Sequence, residues 1–251
     1  MRPLPLLLAL LLLLGTAHAQ RLTIAAASSL TEVMQDLATT FEARHDGVRI
    51  DLNLAGSATL ATQIRQGAPF DVFASANEPQ MNLVASDELL GGAAVPFAGN
   101  RLVVITPNGS PVTSVADLAR DGALIVLAGP EVPVGAYARE VLVRLDAAYG
   151  DGYANAVLAN VVSEEPNVRQ VAAKVTLGEA DAAIVYATDA AILDPAMVTT
   201  LAIDDAYNVT ARYPIAVLDA TRHADLARAF VDFVLSDEGQ ALLAARGFTA
   251  P

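Results

Sequence analysis

The fold of this chain is decided first by residues 22–41, which read LTIAAASSLTEVMQDLATTF. The first six of these residues are mostly apolar, a pattern that is typical of a short buried strand. After Ser28 and Ser29, five apolar residues recur at helical spacing: Leu30, Val33, Met34, Leu37 and Phe41. The segment therefore predicts a strand that passes through a turn of small residues into an amphipathic helix.

Strands and helices continue to alternate along the chain, which predicts an α/β protein with largely parallel sheets. Further strands are predicted at 48–54, 70–74, 102–106, 124–127, 182–186 and 214–218. Further helices are predicted at 59–66, 79–89, 137–148, 167–177 and from about 224 to 245. No repeat or flexible linker divides the chain, so two lobes joined by strands and one doubly wound domain both remain open.

The first 19 residues have the pattern of a secretory signal peptide. Arg2 supplies a positive charge, residues 6–14 form an apolar run, and Ala17-His18-Ala19 places small residues at the cleavage positions. The apolar run is far shorter than the ~20 residues of a membrane-spanning helix, and no Cys follows that could carry a lipid. We therefore predict cleavage after Ala19 and a mature protein that is not embedded in the membrane.

The composition argues against several classes of partner and chemistry. Removal of residues 1–19 takes Arg2 from the 15 basic residues, which leaves 14 against 28 acidic residues and a net charge of −14. Such a charge disfavours binding to nucleic acid and to anionic membranes. The chain contains no cysteine, which excludes disulfides, thiolate nucleophiles and cysteine-ligated metals. An anion could still bind through local donors, because salt screens distant charges within about 8–10 Å.

Patterns that indicate catalysis are weak. His45 and His223 are the only histidines after residue 19, and both lie at predicted helix boundaries, where a solvated side chain is the simplest interpretation. No His-x-x-His, Gly-x-Ser-x-Gly or P-loop pattern occurs. A secreted hydrolase that uses Ser29 or Ser57 as its nucleophile remains an alternative, although the sequence places no base beside either serine.

Four junctions between predicted strands and helices are candidates for anion binding. At the start of a helix the free backbone N–H groups and the helix dipole favour negative charge. Ser29 begins the first of these helices, and Glu32 follows three residues later, which predicts a capping box. Ser29 is therefore either a helix cap alone or a cap that also faces a ligand.

The second junction lacks a capping box, because position 60 is Leu. Gly56 and Ser57 open the second helix, and the small residues there would let a ligand approach the backbone closely. Residues 132–135 and 165–168 open the third and fourth helices. Neither of these two segments carries a serine at the helix start, so the donors there would be backbone N–H groups.

Taken together, these segments resemble periplasmic molybdate-binding proteins of ABC transporters. The matching stretches follow one another along the chain at 26–30, 56–60, 67–76, 132–138, 167–169, 178–186, 213–216 and 247–248. The resemblance implies a two-lobed type II periplasmic-binding-protein fold, in which each lobe is a mostly parallel sheet flanked by helices. Lobe 1 would comprise residues 20–100 and 214–251, lobe 2 would comprise residues 101–213, and the ligand would lie in the cleft between them.

The resemblance also implies a set of ligand-binding residues. Ser29 and Ser57 would donate hydrogen bonds from lobe 1, and the backbone N–H groups of Val134 and Val168 would donate from lobe 2. The Tyr186 hydroxyl would complete the shell. The family usually has alanine where this chain has Val134, a difference that donation from the backbone tolerates.

A shell of donors without carboxylates suits a fully deprotonated tetrahedral dianion, whereas a protonated phosphate would need an acceptor. The resemblance therefore implies a monomeric, non-enzymatic periplasmic protein that captures molybdate, and tungstate as well, for the membrane permease of an ABC importer. The metal would be held as the oxyanion, with no separate metal ligands, no cofactor and no nucleic-acid partner. Sulfate or another tetrahedral oxyanion is the nearest alternative ligand, since a sequence does not give the size of a cavity.

Overall fold

A computed structural model of the protein describes residues 20–251, and the predicted signal peptide at 1–19 lies outside the described residues. The described part of the chain forms two α/β lobes, each built on a five-stranded sheet with flanking helices. Within residues 20–251, no helix has the length and apolar character that crossing a membrane requires.

The first lobe begins with the strand that the sequence predicts. β1 (Gln20–Ala27) passes through a 3-10 turn at Ser28–Leu30 into α1 (Thr31–Glu42). The chain then continues through β2 (Val48–Ala55), α2 (Ser57–Arg65), β3 (Val72–Ala74), α3 (Glu78–Ser86) and β4 (Val95–Asn100).

The chain crosses to the second lobe through a single residue, Arg101, which joins β4 to β5 (Leu102–Pro107). A 3-10 helix at Val115–Ala119 follows. The remaining elements of this lobe are β6 (Ile125–Ala128), α4 (Pro133–Tyr149), α5 (Tyr153–Ala159), β7 (Val161–Glu165), α6 (Val168–Thr176), β8 (Ala182–Tyr186), α7 (Ala187–Ala191) and β9 (Val198–Ala202).

The chain returns to the first lobe with β10 (Ala211–Val217), followed by α8 (Ala224–Leu235) and α9 (Asp237–Ala245). Residues 211–213 belong to β10 and hence to the first sheet, whereas the expected boundary between the lobes fell after residue 213. In other respects the division of the chain into lobes stays a prediction.

Both sheets are mixed, and not mostly parallel as the sequence led us to expect. The strand order is β2-β1-β3-β10-β4 in the first sheet and β7-β6-β8-β5-β9 in the second. In both sheets, read in this order, the first two pairs of neighbouring strands are parallel and the last two pairs are antiparallel. Parallel neighbours need a crossover connection. β5 and β10 instead arrive directly from the other lobe, and each inserts antiparallel to its neighbours.

The central strands carry the cores of the lobes and lead to the cleft. All residues of β6 and β8 are buried, which explains why these strands read as continuous apolar runs. In the first lobe, the apolar side of α1 is buried together with the inner residues of β1. The carboxyl ends of β1 and β8, at Ala27 and Tyr186, both reach the space between the lobes.

Candidate functional site

A small cavity lies between the two lobes. Six lining residues come from the first lobe: Ala27, Ser28, Ser29, Gly56, Ser57 and Ala76. Six come from the second lobe: Val132, Pro133, Val134, Asn167, Val168 and Tyr186. The structure thus brings together around one cavity all five residues that were predicted to bind the ligand: Ser29, Ser57, Val134, Val168 and Tyr186.

Three helices begin at this cavity, namely α2 at Ser57, α4 at Pro133 and α6 at Val168. The first N–H groups of a helix have no partner inside the helix, and the helix dipole adds partial positive charge there. Pro133 has no N–H, so Val134 supplies the first backbone donor of α4. The helix starts therefore offer backbone donors to the cavity from both lobes.

The Ser57 hydroxyl is buried and is held in place by a hydrogen bond from the backbone. Its Oγ accepts a hydrogen bond of 3.0 Å from the backbone N–H of Ala76. A serine hydroxyl has one proton to donate, and this bond does not use it. The Ser57 proton is therefore available to a hydrogen-bond acceptor in the cavity.

Ser29 does not cap α1, so the predicted capping box with Glu32 is wrong. The 3-10 turn delays the start of α1 to Thr31, which makes Leu30 the N-cap, and no side chain caps this helix end. The Ser29 hydroxyl instead forms a buried hydrogen bond of 3.2 Å with the Tyr213 hydroxyl. Glu32 pairs with Arg169 of the second lobe through two hydrogen bonds of 3.0 and 2.5 Å.

Tyr186 is the last residue of β8, and its side chain is almost fully buried. Its hydroxyl has no hydrogen-bond partner among residues 20–251. A buried hydroxyl without a partner is unfavourable, and a ligand that accepts a hydrogen bond would relieve this. Burial also raises the pKa of Tyr186 well above its usual value, so the hydroxyl keeps its proton and can donate it.

The lining of the cavity, which lies wholly within residues 20–251, carries no charged side chain. Arg169 lies behind it, where its Nε donates to the Ser28 carbonyl oxygen at 3.2 Å. The same guanidinium pairs with Glu32 and, at 2.8 Å, with the buried carboxylate of Asp189. Burial raises the pKa of Asp189 to about 7, although Arg169 acts in the opposite direction. Glu32 thus opposes the charge of Arg169, and neutral donors are left to hold an anion.

Neither histidine lines the cavity. His45 stacks on Phe41, and its Nδ1 lies 2.9 Å from the Phe41 carbonyl oxygen. His223 immediately precedes α8 and lines a different surface depression, next to Arg222. A serine nucleophile needs an adjacent base, and this geometry does not provide a histidine for that role.

Three residues that hold the site in place were not predicted: Asn100, Arg169 and Tyr213. Their contacts join segments that are far apart in the sequence, such as Ser29 and Tyr213, which are separated by 184 positions. Arg169 and Tyr213 lie in stretches that match the family, so a signal was present for both. Asn100 had no signal of its own.

Comparison with known proteins agrees with this arrangement. Residues 22–249 match the family model of the bacterial extracellular solute-binding proteins. The chain is 39% identical over 238 residues to the molybdate-binding protein ModA of Mycobacterium tuberculosis, an alignment that covers 94% of this chain and 87% of that protein.

Solved structures show the same fold. The periplasmic molybdate-binding protein of Azotobacter vinelandii has a TM-score of 0.77 at 21% identity, covering 92% of this chain and 99% of that chain. The sulfate-binding protein SubI of Mycobacterium tuberculosis has a TM-score of 0.79 at 18% identity, covering 92% of this chain and 87% of that chain. The chain therefore belongs to the family of bacterial extracellular solute-binding proteins.

Proposed function

We propose that this protein captures molybdate, and tungstate as well, in the periplasm and delivers the oxyanion to the membrane permease of an ABC importer. The observation that carries the proposal is a small cavity between the lobes at which three helices begin, with the unpartnered Tyr186 hydroxyl in its wall. The identity to ModA of Mycobacterium tuberculosis supports molybdate as the ligand. The protein would act as a monomer without a cofactor, after removal of residues 1–19.

The proposed shell consists of three hydroxyl groups and two backbone N–H groups. The hydroxyls belong to Ser29, Ser57 and Tyr186, and the N–H groups belong to Val134 and Val168. A tetrahedral dianion can only accept hydrogen bonds, and it would meet donors from both lobes at once. Because the lining contains no carboxylate, an anion that carries a proton would find no strong acceptor for it.

Sulfate is the second candidate, because it is also a deprotonated tetrahedral dianion and the same donors suit it. Isothermal titration calorimetry of residues 20–251 against molybdate, tungstate, sulfate and hydrogen phosphate would separate the candidates. We expect molybdate and tungstate to bind roughly 100-fold or more tighter than sulfate, a difference of about 2.7 kcal/mol. Sulfate binding that equals or exceeds molybdate binding would contradict the assignment.

The hydrolase alternative is tested with the same preparation. We expect no turnover of generic ester and phosphate ester substrates, because neither histidine lines the cavity. Turnover that disappears in the Ser57→Ala or Ser29→Ala variant would show that the protein is an enzyme.

A further inference from the structure

We propose that Asn100 and Tyr213 fix the direction of the Ser29 hydrogen bond and thereby determine which anions the site accepts. Neither residue lines the cavity, so both would act as positioning residues through Ser29. The inference rests on the proposed function, since it concerns the selectivity of the same oxyanion site.

The orientation of the Asn100 side chain is set by the backbone. Asn100 is the last residue of β4, and its side chain is 1% exposed. The N–H of Arg101 donates to Asn100 Oδ1 at 2.9 Å, which places the amide nitrogen on the opposite side. This nitrogen donates to Thr188 Oγ1 at 2.8 Å and to the Tyr213 hydroxyl oxygen at 3.3 Å. An amide nitrogen cannot accept a hydrogen bond, so the direction of both bonds is fixed.

The direction is passed from Asn100 to Ser29 through Tyr213. The Tyr213 hydroxyl lies within hydrogen-bond distance of both Asn100 and the Ser29 hydroxyl. A ligand that can only accept hydrogen bonds uses the one proton of Ser29, so the contact between the two hydroxyls then requires Tyr213 to donate to Ser29 Oγ while its oxygen accepts from Asn100. Burial raises the pKa of Tyr213 well above its usual value, so this proton is retained at neutral pH. Ser29 then accepts from Tyr213, and its own proton is left for the cavity.

The direction of the Ser57 hydroxyl is set in the same way, but by a backbone N–H group. Its Oγ accepts from the Ala76 N–H, and its proton is likewise left for the cavity. A serine hydroxyl can donate or accept, so the serines alone would not discriminate against a protonated anion. Tyr213 and the Ala76 N–H would make both serines hydrogen-bond donors towards the ligand. Binding of hydrogen phosphate would then be disfavoured relative to binding of a dianion without a proton.

The ring of Tyr213 also packs against other aromatic rings, so its hydroxyl has to be tested separately from its ring. The ring centroid of Tyr213 lies 5.6 Å from that of Phe248 and 5.7 Å from that of Tyr186. The variant Tyr213→Phe keeps these contacts and removes only the hydroxyl group. Any change in anion preference in this variant would therefore come from the hydrogen bonds.

The experiment compares wild-type protein with Tyr213→Phe by calorimetry, with sulfate and hydrogen phosphate measured as competitors of molybdate. We expect molybdate affinity to fall roughly 2- to 13-fold, the range for one neutral hydrogen bond. Hydrogen phosphate should lose less, because Ser29 becomes free to accept its proton. The ratio of phosphate affinity to sulfate affinity should then rise roughly 3-fold or more.

Asn100→Leu provides a second, independent variant. It should shift the phosphate-to-sulfate ratio in the same direction, because Tyr213 loses the donor that directs its proton. The double variant should shift the ratio no further than Tyr213→Phe alone, since both residues act through Ser29. A shift that is the sum of the two single effects would contradict a common route.

Tyr153→Phe is the matched control. Tyr153 is buried in the second lobe, does not line the cavity, and donates its hydroxyl proton to the Val115 carbonyl oxygen. Its removal should leave the ratio unchanged. A Tyr213→Phe variant that loses phosphate and sulfate affinity equally, or loses neither, would overturn the inference while the proposed function stands. Absence of molybdate binding in the wild-type protein would instead refute the proposed function itself.

Discussion

At the scale of single residues, the sequence indicated most of the residues that line the cavity. It was less informative about the residues that hold these lining residues in place. Ser29, Ser57, Val134 and Val168 follow from the repeated junction of strand, small-residue turn and helix together with the family resemblance. Tyr213 could not be assigned a role in this way, because it reaches Ser29 only when β10 returns to the first sheet, 184 positions later in the sequence.

Tyr186→Phe should have opposite effects on stability and on binding. The Tyr186 hydroxyl is buried without a partner, so its removal should leave the melting temperature of the ligand-free protein unchanged or raise it. If the hydroxyl donates to a bound dianion, molybdate affinity should fall roughly 10- to 150-fold, the range for a hydrogen bond to a charged group. Calorimetry and thermal unfolding of the same variant measure both effects.

The control for this prediction is again Tyr153→Phe, in which the lost hydroxyl does have a partner. That variant should show the reverse behaviour, with a lower melting temperature and unchanged molybdate affinity. Wild-type affinity in Tyr186→Phe would remove Tyr186 from the proposed shell.

At the scale of elements, central strands were predicted and several edge strands were missed. β1, β6 and β8 read as apolar runs because neighbouring strands and helices cover them. β4, β7 and β9, which were not predicted, all lie at the edges of their sheets. β7 and β9 are largely exposed, so their sequences contain too few buried positions to form a recognisable pattern.

The start of α2 lies so close to the other lobe that only glycine fits there. A Cβ at Gly56 would lie 2.2 Å from the carbonyl oxygen of Pro166, which is shorter than any real contact. The backbone of Gly56 is extended, with φ −63° and ψ 139°, so alanine could adopt its conformation. The requirement for glycine therefore comes from the approach of the lobes and not from the local backbone.

Gly56→Ala should consequently impair binding more than folding. We expect molybdate affinity to fall more than tenfold, or about 1.4 kcal/mol, because the lobes cannot approach as closely around the ligand. The ligand-free protein should lose at most about 1 kcal/mol, since alanine is a poorer N-cap than glycine. Calorimetry gives the affinity, and small-angle X-ray scattering should show less compaction with molybdate than in the wild type.

The control is Gly92→Ala, because a Cβ at Gly92 would meet no atom within 4 Å. This variant should bind molybdate like the wild type. Wild-type affinity and compaction in Gly56→Ala would show that binding does not need the observed approach of the lobes.

The ion pair between α1 and α6 is a second connection across the cleft. Glu32 and Arg169 are about one-third exposed or less, and they form two hydrogen bonds. Glu32→Ala should lower molybdate affinity roughly 3- to 10-fold, because a partly shielded bidentate pair contributes more than an exposed one. Glu140→Ala, which breaks an exposed pair with Arg144 within α4, should leave the affinity unchanged in the same titration. Equal effects of the two variants would contradict a role for the Glu32 pair in closure.

At the scale of the whole molecule, the two-lobed architecture was recognised through the family resemblance and not through the strand pattern. The chain crosses between the lobes at Arg101 with no linker composition to mark the boundary. The sequence also did not reveal that β5 and β10 insert antiparallel to their neighbours, because no linker composition marks where the chain changes lobes. The alternation of strands and helices nevertheless predicted the α/β class of both lobes.

Ligand binding should stabilise the whole protein. A ligand at 100 times its dissociation constant adds about 2.7 kcal/mol to the native state. In a chain of this size, each kcal/mol raises the melting temperature by roughly 2–4 °C. We therefore expect a rise of roughly 5–10 °C by differential scanning calorimetry with molybdate at that concentration, and almost none with chloride. An unchanged melting temperature in protein verified to be free of ligand would contradict the proposed function.

The buried carboxyl of Asp189 should make stability depend on pH. Burial raises its pKa to about 7, against an ordinary value of 3.8, so the folded protein holds a proton that the unfolded chain releases between these values. The contribution of this group to the free energy of unfolding is therefore present below about pH 4 and lost as pH rises towards 7. The Asp189→Asn side chain cannot ionise. The free energy of unfolding of this variant should therefore increase relative to that of the wild type as the pH rises from 5 to 8.

Urea unfolding of both proteins at pH 5 and pH 8 tests this, because the other ionisable groups are common to both. Asp225→Asn, at an exposed position in α8, is the control, and its difference from the wild type should be the same at both pH values. If the difference between Asp189→Asn and the wild type does not change with pH, the carboxyl of Asp189 does not hold its proton in the folded protein.

The position of β10 between β3 and β4 has a consequence for biosynthesis. Synthesis proceeds from the N-terminus, so all strands of the second sheet are synthesised before residues 211–217. These residues form β10, the strand that joins β3 to β4. The N-terminal lobe is thus the first to leave the ribosome and the last to be finished. Until then the facing edges of β3 and β4 stay open, and open strand edges are where nascent chains aggregate. A cavity that needs both lobes can form only after nearly the whole chain has been released.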